Sequence, residues 1–205
     1  MQEVNREFLS ALILAGGQSS RMGRDKALIE IDGVPLIRRV YEAAQFCTSE
    51  IYVLAPWSDR YYPVLPQTCR FLQEQADPKT PQGPLVGFSQ GLAQVQTEWV
   101  LLLACDLPQL QPAILQSWTT RLSNTDNATI ALLPQHPKGW DPLCGFYRRF
   151  CLDSLRTFIQ KGGRSFQGWL TQVPVQALPL SDRTMLLNCN TPTDLETLSY
   201  PSPNP

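Results

Sequence analysis

The most restrictive feature of this sequence is the run Val100-Leu101-Leu102-Leu103-Ala104. A strand that is apolar at every position has no face to give to water, so both its faces must be covered. It predicts a central strand flanked by helices. Residues 10–14 and 51–55 read the same way, and residues 70–73 form a further short strand. Helical spacing lies between them. Pro35 opens a helix with Leu36, Val40, Ala43 and Ala44 on one face, and residues 85–95 and 112–122 form two more. Strands alternating with helices predict a three-layer α/β/α arrangement around a mostly parallel central sheet. Ligands of such sheets bind beyond the carboxyl ends of the strands.

The rest of the chain is expected to add strands at residues 28–31, 129–133, 143–147, 173–178 and 185–187. A tight turn is expected at Asp32-Gly33. Helices are expected at residues 150–160, from Phe166, and at residues 193–198, before a frayed Pro-Ser-Pro-Asn-Pro tail. No repeat or linker interrupts the pattern, so residues 1–205 read as a single domain with its core at about residues 9–198.

Charge narrows the partners. Seventeen Lys and Arg face eighteen Asp and Glu, a net charge of −1, so no broad positive field exists for nucleic acid or an anionic membrane. Any anion site must be local. The apolar run at residues 99–105 is too short to span a bilayer, and residues 1–7 lack the basic start and apolar run of a signal peptide. The six cysteines include no C-x-x-C pair and read as buried free thiols of a cytoplasmic protein. The one histidine, His136, is expected in a loop between Pro134 and Pro137, which argues against Ser-His-Asp or Cys-His chemistry.

The loop after the first strand carries the chemistry. Gly16 and Gly17 let backbone N–H groups approach phosphate oxygens, and Ser19 and Ser20 add small donors. Arg21 and Lys26 supply positive charge. The spacing fits neither a Walker A loop nor a dinucleotide fingerprint, so taken alone it also suits a surface turn with two incidental cations. A second carboxylate site follows the central strand at Cys105-Asp106-Leu107-Pro108, where Asp106 can hold Mg²⁺ or simply cap a helix.

The string Leu14-Ala15-Gly16-Gly17-x-Ser19-x-Arg21-Met22-Gly23-x-Asp25-Lys26 closely resembles the signature loop of nucleotidyltransferases with a glycosyltransferase-A-like Rossmann fold. Within that superfamily it is similar to the molybdenum cofactor guanylyltransferases. The resemblance extends from about Ser10 to Leu198. It implies transfer of GMP from GTP to Mo-molybdopterin, giving molybdopterin guanine dinucleotide and pyrophosphate. Partners downstream would be cofactor-delivery proteins and molybdoenzyme apoproteins. A cytidylyltransferase for the same cofactor, or a sugar-phosphate nucleotidyltransferase, would share much of this loop.

Roles follow from the same resemblance. Leu14, Ala15 and Gly16 would lie against the nucleotide, with Gly17 beside them. Lys26 and Arg21 would neutralise the triphosphate, and Asp106 would bind metal and nucleotide. Gly83-Pro84-Leu85-Val86-Gly87 would open a helix beside the base. Upstream of it the family has a carboxylate on the guanosine. Asp77 fits by its distance to Gly83 and is preferred, while Glu74 fits by ending a strand. Asn188-Cys189-Asn190-Thr191-Pro192 resembles the family's closing motif, with Asn190 preferred over Asn188 as a site group. Asp141 would face the acceptor, or be a solvated turn residue. Arg164 would meet a phosphate, although the Gly162-Gly163 pair before it also suits a plain helix end. One departure stands out. Leu54 takes the place where the family often has an asparagine touching the nucleotide.

Overall fold

The structure, a computed structural model, describes residues 8–16, 25–75 and 83–189. In chain order its elements are β1 (Leu9–Leu14), β2 (Glu30–Ile31), β3 (Val34–Pro35), α1 (Leu36–Gln45), β4 (Ile51–Ala55), β5 (Arg70–Gln73), α2 (Pro84–Leu92) and β6 (Trp99–Ala104). There follow α3 (Pro112–Thr119), β7 (Ala131–His136), β8 (Gly139–Trp140), β9 (Cys144–Arg148), α4 (Leu152–Gln160), α5 (Phe166–Leu170) and β10 (Val175–Leu178). The main sheet runs β10-β7-β9-β6-β1-β4-β5, with β8 attached to β7.

The central strand is where its composition requires. β6 lies between β1 and β9, and all six of its residues are buried. Alternate residues feed two cores. Ala11, Ile13, Val53, Leu101 and Leu103 face α1 and α3 through Val40, Tyr41, Leu115 and Trp118. Leu12, Leu54, Val100 and Leu102 face the other helices through Phe88 of α2, Leu155 of α4 and Trp169 of α5. The three layers follow from this period of two, because each strand must hide both its faces.

The sheet is parallel except for β9, which runs antiparallel to both β6 and β7, and the short β8, which runs antiparallel to β7. Only residues 137–143 separate β7 from β9, too few for a crossover helix, so the connection is a hairpin and the direction reverses. The site edge therefore collects the ends of β1, β4, β5, β6 and β7, together with the beginning of β9.

Several local expectations need correction. Residues 185–187 are not a strand: Arg183–Leu186 is a 3-10 turn whose Asp182 side chain accepts from Thr184 N at 2.9 Å. A local cap of this kind outcompetes extension in so short a segment. Residues 28–31 likewise begin in a turn, Lys26–Leu28, and only Glu30–Ile31 is extended. The Asp32-Gly33 turn has the positive φ angles (52° and 74°) of a two-residue hairpin connection. His136 is not in a loop but ends β7, paired with Gly139 in the β7–β8 hairpin. Pro134 is tolerated inside that strand, and its carbonyl accepts from Asp141 N at 2.9 Å. The helices expected at 85–95 and 112–122 stop earlier, at Leu92 and Thr119. The helix expected at residues 193–198 lies outside the described residues.

Candidate active site at the carboxyl edge of the sheet

Backbone hydrogen bonds tie the strand ends into one rim. Ala15 N donates to Leu54 O at 2.9 Å, Cys105 N to Leu14 O at 3.2 Å, and Glu74 N to Ala55 O at 3.1 Å. Ala104 N donates to Leu143 O at 2.9 Å, which joins the start of β9 to the same rim. Leu14 and Ala15 are thus set by the sheet itself, and Glu74 and Asp106 follow closely on strand ends.

Across this rim Lys26 Nζ lies 3.9 Å from Asp106 Oδ2. Both side chains are at least three-quarters buried, with exposures of 25% and 16%. The Asp106 carboxyl is held above the usual carboxylate range, chiefly because burial strips its water, while the Lys26 cation pulls the other way. The separation exceeds an ordinary charge-assisted hydrogen bond. Asp106 is therefore a largely desolvated carboxyl that faces the Lys26 cation at more than hydrogen-bond distance. A hard cation shared with phosphate oxygens suits such a group, since Mg²⁺ is commonly bound by one or two carboxylates plus substrate phosphates. Among the described residues no cluster of three His, Cys, Asp or Glu side chains that could hold a metal exists.

The chain returns to this point from far downstream. Cys189 N donates to Asp106 O at 2.9 Å, bringing the stretch that contains Asn188 against the carboxylate-bearing loop. Asn190 lies outside the described residues, as do Gly17, Arg21 and Asp77.

A second carboxylate sits between two glycines. A Cβ on Gly16 would meet Glu74 Oε2 and Pro56 Cδ, each at 2.8 Å, and one on Gly87 would meet Glu74 Oε1 at 3.3 Å. Lack of a side chain at both positions lets this carboxylate lie between the first loop and α2. Burial raises the Glu74 carboxyl above its ordinary value. Beside it opens a cleft of about 620 Å³, lined among the described residues by Pro56, Trp57, Gln73, Glu74, Gln75 and Gln94. Gly83 precedes α2 and leaves Pro84 as its first residue. Leu54 is 2% exposed and packs in the core under α2, so its side chain is not part of the rim. The residue at the mouth of the cleft after β4 is Pro56.

Asp141 stands on the other side, at the β7–β9 end. Its Oδ1 is 3.9 Å from His136 Nε2. Burial raises its carboxyl, opposed by His136 and Arg183. Sequence reasoning overlooked both neighbours, although a histidine followed five residues later by Asp141 near a hairpin is a readable pattern. Arg164 Nη1 donates to Ile159 O at 2.8 Å and Gly163 O at 2.7 Å, so it helps to close α4. All six cysteines are free, and among the described residues no helix is long and apolar enough to cross a membrane.

A parallel sheet presenting glycine, lysine and aspartate at one edge defines a nucleotidyltransferase class, and comparison with known proteins agrees. The sequence model of the MobA-like NTP transferase domain matches residues 11–174, and the chain belongs to that family. Its relatives narrow the kinship. It is 53% identical over 201 residues to a protein of Nostoc sp. named probable molybdenum cofactor guanylyltransferase, covering 96% of this chain and 95% of the relative. A protein of the same name from Synechococcus elongatus is 44% identical, with 92% and 97% covered. The fold is shared with the crystal structure of molybdopterin-guanine dinucleotide biosynthesis protein A from Archaeoglobus fulgidus: TM-score 0.73, 21% identity, 93% and 96% covered. A CMP:2-keto-3-deoxy-manno-octonic acid synthetase complexed with CTP also superimposes, at TM-score 0.71 and 16% identity over 94% and 97%.

Proposed function

We propose that this chain transfers GMP from GTP to Mo-molybdopterin, releasing pyrophosphate, and works in the cytoplasm as one catalytic domain. The Lys26–Asp106 pair at the sheet edge, 3.9 Å apart in a MobA-like chain, carries this reading. An oxygen of the acceptor's terminal phosphate attacks the α-phosphorus of GTP in line. The new P–O bond forms as the bond to the bridging oxygen breaks, and that electron pair leaves with pyrophosphate. A phosphate monoester is already anionic near neutral pH, so no side chain has to remove a proton. Catalysis is then positioning and charge neutralisation.

Lys26, with Arg21, meets the negative charge of the triphosphate. Backbone groups of Leu14, Ala15, Gly16 and Gly17 border the nucleotide. Asp106 would hold Mg²⁺ together with the phosphates, with Asn190 as a further ligand; the cation would lower the barrier by neutralising phosphate charge. Glu74 would accept from the N1–H and exocyclic amine of guanine, a reading supported by its carboxylate lying between Gly16 and Gly87 at the side of the cleft. Asp77, the other candidate, lies outside the described residues. Gly83 starts the helix beside the base. Asp141 would face the acceptor, and Arg164, whose Nη1 closes α4, would meet a phosphate of it through its remaining donors. The product would pass to cofactor-delivery proteins and molybdoenzyme apoproteins.

The test is pyrophosphate release with molybdopterin and either GTP or CTP. GTP should be selected, and Asp106→Asn and Lys26→Ala should each lose about 10²–10³-fold in turnover while staying folded. Selective use of CTP, or near wild-type turnover in both variants, overturns the assignment.

A further inference from the structure

Asp25 immediately precedes Lys26, and its carboxylate is held from three directions. Oδ1 accepts from Ala27 N at 3.1 Å, which caps the turn that Lys26 begins. Oδ2 accepts from the Tyr61 hydroxyl at 2.9 Å and lies 3.7 Å from the Arg60 guanidinium. Arg60 in turn stacks on the Trp57 ring at 4.7 Å. Tyr61 belongs to the β4–β5 connection and is 1% exposed, so it is a fixed part of the core rather than a surface contact.

Lys26 needs such support. A three-residue turn has little rigidity of its own, and a lysine's long stem loses entropy when its ammonium is held in one place. The backbone at residue 26 must be fixed before the ammonium can sit 3.9 Å from Asp106. We propose that Tyr61 is a positioning residue of the transfer reaction: by clamping the Asp25 carboxylate it fixes the backbone from which Lys26 reaches the triphosphate. The proposal rests on the reading of Lys26 as the phosphate-neutralising lysine. Burial keeps the Tyr61 hydroxyl protonated far above neutral pH, so it remains a donor to Asp25 throughout the working range.

The test is a double-mutant cycle on kcat/KM for GTP, using the full chain and Tyr61→Phe, Lys26→Ala and the pair. Phenylalanine keeps the ring and removes only the donor. Tyr61→Phe should lower kcat/KM about tenfold, the scale of one hydrogen bond to a charged group, with kcat falling more than KM rises. In the Lys26→Ala background the same change should have almost no further effect, because its route is already cut. Asp25→Asn should show the same dependence on Lys26, and it decides the question if Tyr61→Phe folds poorly. Equal losses in both backgrounds mean a purely structural role and overturn the proposal, as does wild-type kcat/KM for Tyr61→Phe. Wild-type turnover by Lys26→Ala overturns the underlying reading and the proposal with it, whereas an impaired Lys26→Ala with no coupling overturns the proposal alone.

Discussion

As the proposed base contact, Glu74 would serve function against stability. Its carboxyl is raised by burial between Gly16 and Gly87, so the folded chain binds that proton more tightly than the unfolded chain does. The contribution to stability is therefore full at acid pH and is lost as pH rises through the raised value, where a charge must stay in a poorly solvated place. Glu74→Gln removes that charge. It should raise Tm at pH 7–8, and the gain should fade as pH falls toward the ordinary glutamate range, a pattern that calorimetry across pH would read. The same variant should raise KM for GTP about tenfold, because an amide answers guanine's paired donors less well than a carboxylate. An unchanged KM would return the base contact to Asp77. The sequence named Glu74 as a strand-ending acid. The tie between its carboxylate and two glycines taken from other elements lay beyond it, because those contacts join residues far apart in the chain.

At the scale of elements, what was legible was what periodicity governs. The apolar runs placed β1, β4 and β6, and the 3.6-residue spacing placed α1. Short segments ruled by a single side-chain cap, such as Arg183–Leu186 after Asp182, were misread because their apolar content mimics a strand. The Asp25–Tyr61 contact spans 36 residues and left no local trace. Packing between elements was equally hidden. α2 crosses β1 at Gly91, where a Cβ would meet Leu12 Cδ2 at 2.6 Å, Cδ1 at 2.9 Å and Cγ at 3.3 Å. Leu12 is fully buried and cannot swing away as a surface side chain could. Gly91→Ala should therefore destabilise despite alanine's better helix propensity. Overpacking costs about 1–3 kcal/mol, against a gain of roughly 1 kcal/mol for alanine over glycine. Urea denaturation would measure the difference, and a more stable variant would show that α2 can shift.

Across the whole molecule, the edge that carries the chemistry and the opposite edge do different work. At the far end Trp99 begins β6 and pairs in register with Arg148, the last residue of β9. The Arg148 guanidinium stacks on the Trp99 ring at 4.4 Å, bonds the Glu98 carboxylate and donates to Thr125 O at 3.3 Å. Glu98 is half exposed and would be rehydrated if its partner were removed. Arg148→Ala should thus cost about 2–3 kcal/mol, below the loss of a fully buried pair. In a urea titration the midpoint should fall while KM for GTP at 25 °C stays within about twofold, as expected for sites that share no partner. A large change in KM would mean that the two edges are coupled.

The reversed strand sets a distance. Asp106 follows the rising β6, and Asp141 precedes the descending β9, so the two carboxylates arrive on neighbouring strands from opposite chain directions. Sliding each strand forward along its own chain would lift one carboxylate out of the edge and draw the other in. One step of the ladder between β6 and β9 is about 3.4 Å. The pairing of Leu102 with Gly145 therefore acts as a gauge block between the two carboxylates. Gly145 also lets β9 lie close to β7, because a Cβ there would lie 2.6 Å from Leu132 O. The span between Asp106 and Asp141 is thus written in the register of two strands.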